Sequence, residues 1–181
     1  MTAITLLVGM AASALPALAQ TSIAQPEPLM HVSTSFDLAV HASYAKTAPL
    51  FGPQGERPWA AKHWNPEFIH PQPAADIEGA VFTIQHGPYT AVWVNTLFDL
   101  EARHFQYVYF LPDLMVTVID VRFKTIAPDL TGVHVVYTRT ALTPEGNEHV
   151  SAMSDGDKTA GKEWEQAIGA YFAPEKAGGK R

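Results

Sequence analysis

Between Met30 and Val40 the chain alternates. Met30, Val32, Phe36, Leu38 and Val40 share one parity, and His31, Ser33, Ser35, Asp37 and Ala39 share the other. A period of two with one apolar face predicts a half-buried strand. Ser43 to Phe51 then reads as a short helix, because Ser43 can cap free amides and Pro49 limits the helix length. From Gly79 onward the β signal dominates. Strands are predicted over Ala80–His86, Thr90–Phe98, Arg103–Leu111, Leu114–Ile126 and Val133–Leu142. The breaks between them fall at Gly87-Pro88, Pro112-Asp113 and Pro128–Gly132. Successive strands joined by short turns favour an antiparallel meander.

Two stretches do not follow the strand period. Gly52 to Ala75 holds five Pro and two Gly together with Trp59, Trp64, Phe68 and Ile69. Proline at that density excludes a strand or a long helix. The aromatics predict a structured loop over the core, with one helical turn around Trp59 to His63. At the other end Ala160, Trp164, Ala167, Ile168, Tyr171 and Phe172 recur at three- and four-residue steps. That is the apolar stripe of an amphipathic helix. Asp155 and Asp157 are expected at its N-terminal end, where acids suit free amides and the helix dipole. Thr143–Asn147 reads as the turn before it, and Pro174 with Gly178-Gly179 ends it. The expected fold class is therefore α+β, a curved antiparallel sheet of about six strands with a long C-terminal helix across its concave face.

The N-terminus adds a leader. Ile4 to Ala19 is uncharged and apolar, and closes on Pro16-Ala17-Leu18-Ala19 before Gln20. Small residues there fit a signal peptidase site, so residues 1–19 are expected to be a cleaved signal peptide and the protein periplasmic or secreted, with a retained membrane anchor as the alternative. Residues 20–28 read as a linker, 29–175 as one domain and 176–181 as a flexible tail. No other apolar run is long enough to span a bilayer, so no stable membrane span is expected after cleavage. The sequence has no Cys, which excludes disulfides, thiolate metal sites and Cys nucleophiles. A formal net charge of −6 supplies no basic field for nucleic acid.

The element order resembles the helix-grip fold of the START/Bet v 1-like superfamily, also called SRPBCC. The residues that carry the resemblance are Phe36, Ala48–Phe51, Phe51-Gly-Pro-Gln-Gly-Glu-Arg-Pro-Trp59 and His63-Trp-Asn-Pro-Glu-Phe68. Further matches are Gly79–Phe82, Ala91–Trp93, Val135–Tyr137, Thr140–Leu142 with Gly146, and Trp164–Ile168. Together they look like a bacterial branch with a Gly-Pro-x-Gly-Glu-Arg-x-Trp … Trp-Asn-Pro-x-Phe signature. The resemblance implies an apolar cavity between sheet and helix. Members of the superfamily bind lipids, sterols or hormones, act as aromatases and cyclases, or assist other proteins.

Candidate chemistry follows from both readings. Glu56, Arg57, Trp59, His63 and Trp64 gather in the aromatic loop, with Phe68 close behind. A Glu-Arg pair there could hold a ligand carboxylate, or it could tie the loop to the sheet while the rings plug the core. Trp93, Phe123 and Trp164 read as core aromatics. In a helix-grip cavity they would line the pocket, as would Tyr107 and Tyr137, whose phenols could polarise a carbonyl. The eight His residues show no zinc-binding spacing, so no metal is expected. No GxSxG elbow or GxxxxGK[ST] loop is present. No cofactor is implied and no catalytic residue stands out. The expected partner is a small hydrophobic or amphipathic molecule in an internal cavity. A cyclase- or dehydratase-like enzyme and an interaction or stress module with a solid core are the alternatives.

Overall fold

The computed structural model describes residues 27–60 and 64–173. The signal-peptide reading, most of the linker, His63 and the tail lie outside these residues. Strand β1 spans His31–Val40, followed by α1 at Tyr44–Thr47 and a 3₁₀ turn at Ala48–Phe51. The meander comprises β2 (Glu67–His70), β3 (Val81–His86), β4 (Tyr89–Asp99), β5 (His104–Leu111), β6 (Met115–Ala127) and β7 (Leu130–Ala141). Helix α2 runs from Pro144 to Phe172. All neighbours are antiparallel, in the order β1-β7-β6-β5-β4-β3-β2.

The sheet therefore has seven strands, not about six. The extra one is Glu67–His70, in the stretch expected to be a loop. It sits at the sheet edge, pairing only with β3 and shifting register between Phe68 and His70. An edge place is where a short segment flanked by Pro can pair, since its other side owes no hydrogen bonds.

Alternation decides what faces inward. Phe82 and Ile84 of β3, Trp93 and Asn95 of β4, Tyr107 and Tyr109 of β5, and Ile119 and Val121 of β6 are buried on the concave face. On β4 a bulge between Asn95 and Leu97 shifts the parity, so that Phe98 stands opposite the inward-facing Phe105. The β3–β4 turn is tight because Gly87 takes φ +57°, a conformation that costs glycine nothing.

Helix α2 begins eleven residues before the expected acidic start at Asp155, counting from Pro144. Its cap is Thr143, whose hydroxyl accepts from the Gly146 N–H at 3.2 Å and donates to the Asp113 carbonyl at 2.8 Å. Pro144 is at home in the first turn, where its missing N–H would have had no partner. Asp155 and Asp157 are not caps but mid-helix residues, and Asp157 is buried. The apolar stripe is legible only toward the C-terminal end because the inward positions before it mix Val150 with Gly146, Asn147, Asp157 and Gly161.

Gly161 sets the height of the helix over the sheet. A Cβ there would lie 2.6 Å from the Asp37 carbonyl oxygen of β1. Only glycine lets the two backbones approach so closely. Close packing against β1 at one side leaves room on the other, over β4 to β6.

Candidate functional site

A pocket of about 580 Å³ occupies that space. This size falls within the range of small-molecule sites, roughly 300–1,000 Å³. Its sheet wall includes Phe82, Trp93, Tyr107, Tyr109 and Tyr137. Phe51, Glu56, Trp59 and Trp64 approach from the loop side, and Met153, Ala160, Trp164 and Ala167 from α2.

The loop wall is built by its own hydrogen bonds. After the 3₁₀ turn the chain makes one helical turn, with Glu56 N–H bonded to the Gly52 carbonyl and Ala60 N–H to the Glu56 carbonyl, both at 2.8 Å. This turn covers residues 52–60, and most of the turn expected around Trp59 to His63 lies outside the described residues. Asp76 accepts from the backbone N–H groups of Gln54 and Gly55 at 2.8 and 3.1 Å. The Trp59 indole donates to the Leu50 carbonyl at 2.7 Å, and the Trp64 indole to the Pro53 carbonyl at 2.9 Å. Both rings are thereby fixed with their faces turned to other aromatics. Trp59 meets Trp164 edge-on at 5.4 Å, and Trp64 meets Trp93 at the same distance.

The anticipated Glu56–Arg57 pair does not form. Arg57 is exposed and off the pocket wall. Its guanidinium donates to the Gln54 side chain at 2.7 Å, to Asn65 Oδ1 at 2.8 Å and to the Pro66 carbonyl. It ties the two limbs of the loop together. Glu56 instead points into the pocket lining, where its side chain makes no hydrogen bond or ion pair among the described residues. Loss of hydration, reinforced by the neighbouring Asp76 carboxylate, pushes its pKa well above 4.5. Burial also raises Asp76, against the pull of its two backbone donors and Arg57.

Two other expected pocket residues stand elsewhere. Phe68 packs from the edge strand onto Phe82 at 5.3 Å. Phe123 fills the closed end, with Phe51 at 5.3 Å and Phe105 at 5.0 Å. Glu56, Trp59, Trp64, Trp93, Tyr107, Tyr137 and Trp164 do come together on the pocket wall.

The sequence reading missed a polar cluster at the base. Arg139 of β7 grips Asp157 of α2 with two hydrogen bonds, at 2.5 and 3.0 Å. The side chains are 4% and 8% exposed, so the pair is enclosed. Thr34 donates to the same carboxylate. The guanidinium also covers the Tyr137 ring, 4.4 Å from its centroid. Arg139 Nε and Trp93 Nε1 are buried without a hydrogen-bond partner. Arg139 has the inward parity of Val133, Val135 and Tyr137, so a charged residue on an apolar strand face was the available signal.

The three tyrosines differ in how their hydroxyls are used. Tyr107 donates to the Phe51 carbonyl at 2.5 Å, and Tyr109 reaches Met153 Sδ at 3.0 Å. Tyr137 makes no side-chain hydrogen bond among the described residues. Burial first, then the Glu56 charge, raises its pKa far above the ordinary phenol value. Burial and the same carboxylate raise Tyr107. Among the described residues no group of His, Asp and Glu converges as metal ligands, and no helix is long and apolar enough to cross a membrane.

No family model matches the sequence, and no curated protein matches it. Solved structures do. XoxI from Bacillus cereus superposes with a TM-score of 0.59 at 15% identity, covering 78% of this chain and 99% of its own. Truncated norcoclaurine synthase from Thalictrum flavum gives 0.58 at 15% identity, covering 84% and 99%. A second form of that synthase, in complex with dopamine and hydroxybenzaldehyde, gives 0.55 at 12% identity, covering 81% and 91%. At these identities the likeness speaks for the fold alone. The curved antiparallel sheet, the short helix after its first strand and the long C-terminal helix make this chain a helix-grip, Bet v 1-like fold.

Proposed function

We propose that this protein binds a small hydrophobic or amphipathic molecule in the pocket between the concave face and α2. The observation that carries the reading is the pocket itself: about 580 Å³ lined largely by Trp, Tyr and Phe rings, with Glu56, His86, Glu163 and the Arg139–Asp157 pair as its polar groups. Each 100 Å² of apolar ligand surface removed from water contributes roughly 2.5 kcal/mol, before the cost of immobilising the guest. Rings fixed by hydrogen bonds to carbonyls reduce that cost, since they need no reordering. Glu56, Tyr137 or the unpartnered Trp93 N–H would orient a polar end. The complex of norcoclaurine synthase with two small aromatic molecules supports the reading, as a case of this fold accommodating such guests. A solid-cored interaction module has no use for a pocket of this size.

Export by the N-terminal leader and membership of the SRPBCC branch bearing the loop signature complete the proposal. The protein would then meet its ligand outside the cytoplasm. Solvent extraction of protein purified from the exported fraction, followed by mass spectrometry, tests the binding. An apolar species should be enriched over Ala160→Trp, which fills the pocket from the helix side. Equal extracts from both proteins would refute the reading.

A further inference from the structure

Binding an apolar guest leaves Glu56 unexplained. A carboxyl group set into an aromatic wall loses hydration and weakens the hydrophobic gain, unless it acts on the guest. Several other polar side chains in this pocket have structural work. Arg139 and Asp157 neutralise each other, and Tyr107 anchors the Phe51 carbonyl. Glu56 has no such partner among the described residues. Asp76, its nearest charged neighbour by effect, repels its charge and is itself occupied by two backbone N–H groups. The Tyr137 hydroxyl is likewise unengaged, and Glu56 is the foremost charge acting on it. One proton acceptor and one hydrogen-bond donor therefore face one aromatic pocket.

We propose that Glu56 is a catalytic base for carbon acids, taking a proton from a carbon next to a carbonyl in an apolar, ring-bearing substrate, with the Tyr137 hydroxyl hydrogen-bonding the oxygen that gains charge. The proposal rests on the binding reading. In the step, the C–H bond breaks and its proton goes to a Glu56 carboxylate oxygen. The electron pair forms a carbon–carbon double bond, and the carbonyl π pair moves to oxygen. Return of the same proton from Glu56 to that oxygen gives an enol, or, where a carbon–carbon double bond adjoins the deprotonated carbon, return to the far end of that bond gives the conjugated isomer; either regenerates the carboxylate. No oxidant, reductant or co-substrate is consumed. A carboxylate freed from its hydration shell is a stronger base than one in water, and positioned general bases contribute on the order of 10²–10⁴-fold in rate.

The test uses 5-nitrobenzisoxazole, a planar aromatic carbon acid. Loss of its ring C–H proton breaks the N–O bond and releases a coloured cyanophenolate, so one absorbance reports proton abstraction. Binding is read separately from quenching of tryptophan fluorescence. Wild type should bind the probe and release phenolate faster than free acetate at equal concentration. Glu56→Gln should still bind but lose about 100-fold or more of the rate, Glu56→Asp should recover part of it, and Tyr137→Phe should lose about 10-fold. The wild-type rate should climb with pH through an inflection above the ordinary carboxylate value of 4.5. The groups facing Glu56 agree with that direction. Asp76 from the loop raises it, Glu163 on α2 adds negative charge at the pocket lining, and Arg139 is already neutralised by Asp157. Burial keeps Tyr107 and Tyr137 protonated, and His86 lines the same pocket, stacked on Trp93 and Tyr109. Binding without acceleration, or an unchanged rate in Glu56→Gln, overturns the proposal and leaves the binding reading standing. Failure of wild type to bind the probe removes both.

Discussion

Phe105 and Trp93 lie on adjacent strands of one concave face, yet Phe105 is enclosed on every side and Trp93 borders empty space. At the closed end Phe105 stacks on Phe98 at 4.1 Å and meets Phe123 edge-on, with Phe51 behind. At the other end Trp93 stacks on Tyr109 at 4.5 Å and touches Trp64, but its indole N–H finds no acceptor. The aromatic content is similar at both ends. The difference comes from the helix, which the Gly161 contact holds down on β1, and from a loop that props its rings on backbone carbonyls instead of inserting them. A filled core and a pocket can thus be made from the same residue types, according to what holds the rings.

That contrast can be broken by truncation. Phe105→Ala should destabilise the fold by about 4 kcal/mol, since every lost contact leaves a void in a packed region. Trp93→Ala, though it removes a larger side chain, should cost only about 2 kcal/mol, because the ring borders the pocket and an unpaired N–H goes with it. Urea unfolding of the two variants checks this, and an equal or reversed ranking would erase the distinction between the two ends.

A second break lies at the pocket base. Asp157→Asn should cost about 3 kcal/mol by leaving Arg139 enclosed without its counter-charge. The companion change Arg139→Met in the same chain should recover part of the loss. A double-mutant cycle by chemical denaturation reads the coupling.

The pH dependence of stability sharpens the comparison further. Glu56 and Asp76 both titrate higher in the folded protein than in the unfolded chain. The folded state therefore holds protons that the unfolded state has released. Stability should be greatest below the ordinary values of 4.5 and 3.8 and fall as pH rises through the raised ones. Glu56→Gln should flatten that fall and be more stable than wild type at neutral pH. Thermal melts across pH 4–8 would reveal it, and a wild-type curve rising over that interval would contradict the assignment. The smallest effect belongs to Arg57→Ala, about 1 kcal/mol or less, because the side chain is exposed and its bonds serve only the loop.

Much of the fold could be read from periodicity. Strands β1 and β3 to β7 announced themselves because one face of each is apolar. Glu67–His70 did not, since four residues between prolines carry too short a pattern, and only pairing with β3 makes them a strand. The first half of α2 was hidden for the opposite reason. Its buried positions mix Val150 with Gly146, Asn147 and Asp157, so no apolar stripe marks it. At the site, aromatic residue types pointed to the wall, but direction did not follow from type. Adjacent Glu56 and Arg57 part company because the helical turn sends one inward and the other to Asn65. Arg139 escaped notice because its partner Asp157, 18 residues on, reads in the sequence as a helix-start acid and not as a buried mid-helix charge.

The most direct measurement is a titration with 1-anilinonaphthalene-8-sulfonate, followed by energy transfer from tryptophan, in wild type and in folded Ala160→Trp. Saturable one-to-one binding to wild type, lost in the filled variant, is the expected result. Equal binding to both proteins, or none to either, would mean that no guest occupies the space between the sheet and α2.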